Sequence, residues 1–372
     1  MPDSDPSGWI RFLPSPVHQD ADSQFASAHA GKSILITGAG GCIGSALVRA
    51  VASADPRRIV LLESSEHSLF EIHRQLETDF ARLSHETVLG RSDDALLLDE
   101  ILGSSRPDII YHAAAFKHVP LLETNPFAAV GNNAIGTYTL ARAALRHSVP
   151  KLILISTDKA VNPHSILGVS KRVAELVFVS LSNSSCRMNA VRLGNVIGSS
   201  GSVVPIFLQQ IGHYGPVTVT HPQVTRRFLS LRETIDAILA CGAANCEGRI
   251  LLPDLGEPVL IADLARFLIS AGGKGSDETP ILFTGLRPGD KFSEELRFDF
   301  EVSEAVIDGP LEVVKTHSLA VPELSELMAQ LTLAVETRDL PRVIGILSSA
   351  VPEYVPSSLL NGSAAAGFRV KE

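Results

Sequence analysis

Cysteine, tryptophan and long apolar runs are what this sequence has least of, and each scarcity rules something out. The four cysteines, Cys42, Cys186, Cys241 and Cys246, form no C-x-x-C pair and no Cys/His spacing suited to zinc. That pattern argues for free thiols and against a disulfide framework or a metal site. No apolar run nears the ~20 residues a helix needs to cross a bilayer. There is no Lys/Arg run and the net charge is −9, which excludes nucleic acid and anionic membrane surfaces as partners. Residues 1–30 lack the basic n-region and apolar core of a signal peptide, so they read as a partly ordered arm on a soluble, cytoplasmic chain.

What is present suits a large α/β protein. With 372 residues, 45% of them apolar, the chain has enough material for one large or two interlocked domains. Short apolar runs alternate with helical patterns. Strands are expected at 33–37, 58–62, 87–89, 108–113, 152–155, 188–192 and 249–252. Helices are expected at 45–53, 95–102, 126–147, 203–211, 232–243 and 261–270, with another starting near Ser165. The alternation predicts a doubly wound, Rossmann-type parallel sheet. After Arg192 the texture changes to loops and short elements. We therefore expect a dinucleotide domain of residues 31–192 with 226–252, and a smaller α/β substrate domain of residues 193–225 with 253–355. The tail, 356–372, reads as flexible.

Chemistry concentrates at strand ends. Gly38, Gly41 and Gly44 follow the first strand and, with Cys42 and Ile43, open a helix. Such glycines permit a tight turn, close approach of backbone to a pyrophosphate, and helix packing on the strand. Glu63 ends the second strand, placed to accept hydrogen bonds from an adenosine ribose and to repel a 2′-phosphate, which favours NAD over NADP. Ala113 and Ala114 follow the fourth strand, small enough for close cofactor approach. Between Ile153 and Glu175, a strand breaks into Ser156-Thr157-Asp158-Lys159, turns at Asn162-Pro163, and re-enters as a helix. Leu167 and Lys171, four apart, share one face of that helix and point back at the same site.

Six strings carry a resemblance. They are Thr37-Gly-Ala-Gly-Gly-Cys-Ile-Gly-Ser, His112-Ala-Ala-Ala-Phe-Lys-His-Val-Pro-Leu and Ser156-Thr-Asp-Lys-Ala-Val-Asn-Pro, then Arg192-Leu-Gly-Asn-Val-Ile-Gly, Gly215-Pro-Val-Thr-Val-Thr-His-Pro and Gly285-Leu-Arg-Pro-Gly-Asp-Lys. Over roughly residues 31–300 the chain resembles the CapD-like polysaccharide-biosynthesis branch of the extended short-chain dehydrogenases. Its best-understood members are UDP-N-acetylglucosamine 4,6-dehydratases. Many relatives carry a membrane-spanning region and a further domain, so the chain resembles the catalytic module alone.

The resemblance implies internally recycled NAD and a UDP-N-acetylhexosamine substrate. It gives Thr157 the sugar near its C4 hydroxyl, Asp158 the protonation of the departing C6 hydroxyl, and Lys159, as a neutral amine, the C5 proton. Lys171 would bond the nicotinamide ribose, and Asn133 matches a structural asparagine counted with the cofactor site. Asn195, Arg226 and Arg287 are candidates for the UDP moiety; Lys117 matches a family string, with substrate contact and packing both open. Two departures stand out. Leu167 occupies the position of the usual tyrosine, leaving Thr157, a water or the substrate itself to take the C4 proton. Arg91 stands where relatives carry Asp against the adenine, and Asp94 is shifted from that position. The resemblance also implies a homodimer or higher homo-oligomer, joined by a four-helix interface of Pro126–His147 and Ser165–Leu181. A UDP-sugar epimerase acting at C4 or C5, or a non-catalytic NAD-binding module, are the rival readings.

Overall fold

A computed structural model of the chain describes residues 28–199, 201–213, 215–272, 279–307 and 311–361. The first half is a regular alternation: β1 (Ser33–Thr37), α1 (Cys42–Ser53), β2 (Arg58–Glu63), α2 (Glu66–Asp79), β3 (His85–Leu89), α3 (Ala95–Ser105) and β4 (Ile109–His112). Two short helices, α4 (Val119–Glu123) and α5 (Pro126–Val130), lead through a π-helical turn (Gly131–Ile135) into α6 (Gly136–Arg146). Then come β5 (Lys151–Thr157), a 3₁₀ turn (Asp158–Ala160), α7 (Ile166–Leu181) and β6 (Arg187–Leu193). The expected single helix over 126–147 is therefore interrupted, and Asn133 sits in the π turn, a feature that often marks functional sites.

The second half is more broken. It holds β7 (Asn195–Val196), α8 (Val203–Gly212), β8 (Val217–Val219), β9 (Thr225–Arg226), β10 (Phe228–Leu229), α9 (Leu231–Ala243), β11 (Ile250–Pro253), β12 (Val259–Leu260), α10 (Ile261–Ala271) and β13 (Ile281–Phe283). A hairpin of β14 (Val302–Ile307) and β15 (Leu311–Lys315) precedes two helices, α11 (Val321–Glu336) and α12 (Leu340–Ala350).

One nine-stranded sheet organises the chain, in the order β14-β15-β11-β6-β5-β4-β1-β2-β3. Its seven strands from β3 to β11 are parallel, and β15 and β14 add an antiparallel edge. β1 lies between β2 and β4, so the chain reverses direction across the sheet there, leaving a crevice beyond the strands' carboxyl ends. The central strands are near-continuous apolar runs because helices cover both faces. One core cluster lies under α3, α6, α7, α11 and α12, and the other under α1, α2 and α9. A third, smaller cluster joins α8, α10 and β8.

Three expectations change. Residues 302–315, read as part of the smaller substrate unit, extend the main sheet: β15 pairs with β11. The tail is packed as far as Asn361: Leu360 is buried, and Ser357 donates to Glu123. The faces of the π turn and α7 that were to meet a second subunit are covered by α11 and α12, whose Leu324, Met328, Leu331, Val343 and Leu347 share a core with Val173 and Val177. Residues 1–27 of the expected arm and 362–372 of the tail lie outside the described residues. Cys42, Cys186, Cys241 and Cys246 are free thiols. Among the described residues no helix is long and apolar enough to cross a membrane.

Candidate active site

A cavity of about 700 Å³ opens at the carboxyl ends of β1, β4, β5 and β6. Gly38, Gly41, Cys42, Ile43, Gly44 and Ala113 form one wall; Ser156, Thr157, Lys159, Leu167 and Lys171 form another, and Lys117, His118 and Asn195 close the far end. Glycine is required at the first wall. Gly38 has φ +66°, and a Cβ there would lie 2.7 Å from Ala114 N; at Gly44 it would lie 1.9 Å from Gly38 O. The N-terminus of α1 carries no side-chain cap and no acidic residue in its first turn, so its amides are left to satisfy an anion.

Glu63 does not line the cavity. It accepts from the amides of Gly40 at 3.0 Å, Ser64 at 2.8 Å and Ser65 at 3.0 Å, and so ties the glycine loop to the end of β2. Ala114 and Asn133 also stand behind the wall. Ala114 N donates to Thr37 Oγ1 at 3.3 Å. Asn133 pins the loop after β4, accepting from Phe116 N at 2.9 Å and donating to Phe116 O at 3.1 Å.

The sequence left His112 unremarked, yet it is the node beneath the site. Thr137 spends its proton on Asn133 O at 2.7 Å, so its oxygen accepts from His112 Nε2–H at 3.0 Å. His112 Nδ1 then accepts from Thr37 Oγ1 at 2.8 Å, and Thr37 in turn accepts from Ala114 N. Burial, and next the Lys171 charge, drive the imidazole down to about 3, so it is neutral with one defined tautomer.

Helix α7 starts at Ser165, whose hydroxyl accepts from Gly168 N at 3.1 Å. Gly168 lets α7 press on the 3₁₀ turn: a Cβ there would meet Lys159 O at 2.3 Å. That contact sets Leu167 and Lys171 against the cavity beside Thr157 and Lys159. Lys171 Nζ donates to Ile155 O at 2.7 Å. Burial lowers it to about 8, with the Glu175 charge opposing.

Thr157, Asp158 and Lys159 form one hydrogen-bonded set. Thr157 Oγ1 and Lys159 Nζ both donate to Asp158 Oδ1, each at 2.9 Å, and Lys159 also donates to Asn195 Oδ1 at 3.2 Å. Asp158 is fully buried behind the wall, and its Oδ2 has no hydrogen-bond partner. The neutral amine expected at Lys159 is corrected here. Burial alone would lower its proton affinity, but the Asp158 carboxylate and then that of Glu294 outweigh burial and raise it above an ordinary lysine's. Lys159 is an ammonium in this state.

The two arginine candidates do not reach the wall. Arg226 donates to Lys291 O at 3.0 Å and lies 3.7 Å from Glu294. Arg287 is exposed and paired with Asp290 at 2.9 Å. Arg91 pairs with Asp93, while Asp94 caps α3 by accepting from Leu97 N at 3.1 Å. The sequence also passed over a buried network: Arg192 bonds Glu175 at 2.8 Å and Glu301 at 2.7 Å, and Ser156 on the cavity wall donates to Glu175 at 2.7 Å. Arg192 inside an apolar strand was the available signal, since a buried charge demands partners.

A family model described as polysaccharide biosynthesis protein matches residues 34–312. The chain is 45% identical to the capsular polysaccharide biosynthesis protein CapD of Staphylococcus aureus, over 71% of this chain and 45% of that one. It is 43% identical to the probable polysaccharide biosynthesis protein EpsC of Bacillus subtilis, over 76% and 47%. The chain thus spans about half the length of these two relatives. A UDP-glucose 4-epimerase of Rickettsia bellii is 30% identical over 74% of this chain and 80% of its own. Among solved structures, Pen of Bacillus thuringiensis superposes with TM-score 0.67 at 27% identity, covering 73% of this chain and 84% of that one. The dTDP-glucose 4,6-dehydratase DesIV of Streptomyces venezuelae shares the fold, with TM-score 0.63 at 21% identity, covering 71% and 88%.

Proposed function

The chain belongs to the polysaccharide biosynthesis protein family, and from that premise we propose that it is an NAD-dependent 4,6-dehydratase of a UDP-N-acetylhexosamine, with UDP-N-acetylglucosamine the first substrate to test. One observation carries the reading: a single cavity joins the glycine cradle and uncapped helix of a dinucleotide site to Thr157, Lys159 and Lys171. The cradle suits NAD, because glycine at Gly38 and Gly44 lets the loop pack tightly against Ala114 and against itself at the cavity wall. Glu63, behind the wall and bonded to the glycine loop, keeps a carboxylate beside that cradle, which favours NAD over NADP.

A bound nicotinamide supplies a reversible hydride acceptor, regenerated within each turnover. The protein's own part is proton handling. Moving one proton along the 2.9 Å bond from Lys159 Nζ to Asp158 Oδ1 turns the ion pair into an amine and an acid. The amine takes the C5 proton, the pair returns a proton to the C6 hydroxyl as it leaves as water, and the pair ends as it began. Leu167 offers no proton acceptor, so Thr157 relays the C4 hydroxyl proton to water in the open cavity, and one proton is taken back at C5 when C6 is reduced, so that none is gained or lost over the cycle. Lys171 is left to hold the cofactor ribose. Lys117 and Asn195 contact the substrate from the cavity wall. Arg226 and Arg287 reach its diphosphate once released from Glu294 and Asp290. This reading places the enzyme in the cytoplasm.

The match to a UDP-glucose 4-epimerase favours epimerisation as a second reading. Incubating the protein with UDP-N-acetylglucosamine and NAD separates the two. A dehydratase gives a product lighter by one water that absorbs in alkali as a 4-keto sugar. An epimerase gives an isomer of unchanged mass. Cofactor binding with neither product leaves only a non-catalytic NAD-binding module.

A further inference from the structure

Glu294 is a buried charge that the proposed chemistry leaves without a task. Its side chain is 5% exposed, and Oε2 has no hydrogen-bond partner. Oε1 lies 4.0 Å from Lys159 Nζ and 3.7 Å from Arg226 Nη2; Oε2 lies 3.7 Å from Lys291 Nζ. Asp158 is the remaining charged group that acts on it. A carboxylate in such surroundings, short of full hydrogen bonding, is costly to keep unless its charge is used.

Its aim at Lys159 is imposed by the chain. On one side, Lys291 Nζ donates to Val161 O at 3.2 Å and Asn162 O at 3.3 Å, and Asn162 Nδ2 donates to Glu295 at 2.8 Å. On the other, Arg192 donates to Leu296 O at 3.0 Å and to both oxygens of Glu301 at 2.7 Å. Residues 291–301 thus strap the catalytic turn to β6, with Glu294 held between two fastened points.

We infer that Glu294 is a positioning residue for Lys159: its carboxylate holds the ammonium at the cavity wall and, with Asp158, fixes where the shared proton rests. The carboxylate stabilises the charged amine, so it opposes the proton shift from Lys159 to Asp158 that precedes uptake from C5. Arg226 and Lys291 moderate that effect, because each draws on the same carboxylate. Any ligand that pulls Arg226 away leaves Glu294 more strongly committed to Lys159. The proton-holding needs no sugar; only its consequence for turnover rests on the dehydratase reading.

The test is competitive labelling of Lys159 with acetic anhydride across pH, read by mass spectrometry on the full chain without sugar. In the wild type the Lys159 midpoint is expected above that of exposed lysines, near 10.4. In Glu294→Gln it is expected to fall by about one to three pH units, as removal of an opposite charge at this range does. Glu294→Asp, which keeps the charge one methylene further back, should fall less. An unmoved midpoint in a folded Glu294→Gln protein overturns the inference. So does a wild-type midpoint at or below the exposed lysines, which needs no variant. If the sugar is also turned over, the descending limb of the kcat profile, where the pair loses its one proton, moves to lower pH in Glu294→Gln. If labelling shifts as expected and no sugar reacts, the functional reading fails and the role of Glu294 stands.

Discussion

At the scale of single residues, charge state decides what the site can do. Lys159 carries the proton chemistry of the proposal, and its backbone is fixed by the 3₁₀ turn rather than by its side chain. Lys159→Ala should therefore lower turnover by ~10²–10⁴-fold while leaving NAD binding intact. Steady-state kinetics beside a cofactor titration check this, and an unchanged rate would remove Lys159 from the mechanism. His112 is the second residue to test. Buried and neutral, it binds fewer protons when folded than when unfolded at any pH between about 3 and its ordinary 6.5. The stability it contributes is complete above 6.5 and is lost as pH falls toward 3. His112→Gln should cost about 1–3 kcal/mol at pH 7 through broken buried hydrogen bonds. Its Tm should then fall less steeply than the wild type's between pH 6 and 4. A parallel fall would mean that the imidazole is already charged.

At the scale of elements, the site depends on how closely α7 rides over the 3₁₀ turn. Alanine normally improves a helix over glycine by roughly 1 kcal/mol. At Gly168 the sign should reverse, because the added methyl meets the Lys159 carbonyl oxygen at 2.3 Å and Pro163 at 3.0 Å. Gly168→Ala is expected to lower both Tm and kcat, read by thermal denaturation and kinetics. A stabilised variant would show that α7 stands off the turn. The glycines and the Thr157–Lys159 triplet were legible in the sequence because local rules create them: tight turns need glycine, and a strand must end in a polar turn. The π turn was not, since no residue type marks it out within the helical pattern of 126–147.

At the scale of the whole molecule, α11 and α12 close the face that a second subunit was expected to cover. Leu331 of α11 is fully buried. Leu331→Ala should cost about 2–5 kcal/mol in chemical denaturation, as core truncations do. A cost within about 0.5 kcal/mol, typical of surface positions, would mean the helical pair is a loose cover that a partner copy can displace. Any oligomer of this chain is expected to use another surface, so light scattering of Leu331→Ala at equal folded fraction should match the wild type.

The sequence by itself determined the parallel sheet, the glycine cradle and the polar turn after β5, because each follows from short-range periodicity and turn chemistry. Only the tertiary structure decided that β14 and β15 join that sheet, that α11 and α12 cover α7, and that Glu294 faces Lys159. Those pairings join residues 58 positions apart (Pro253 and Leu311) or more, and local pattern carries no record of which distant charge or apolar face will be its neighbour. The same reason explains Lys159: burial and the adjacent Asp158 were visible at the strand end, but the distant Glu294 that joins Asp158 in outweighing burial was not.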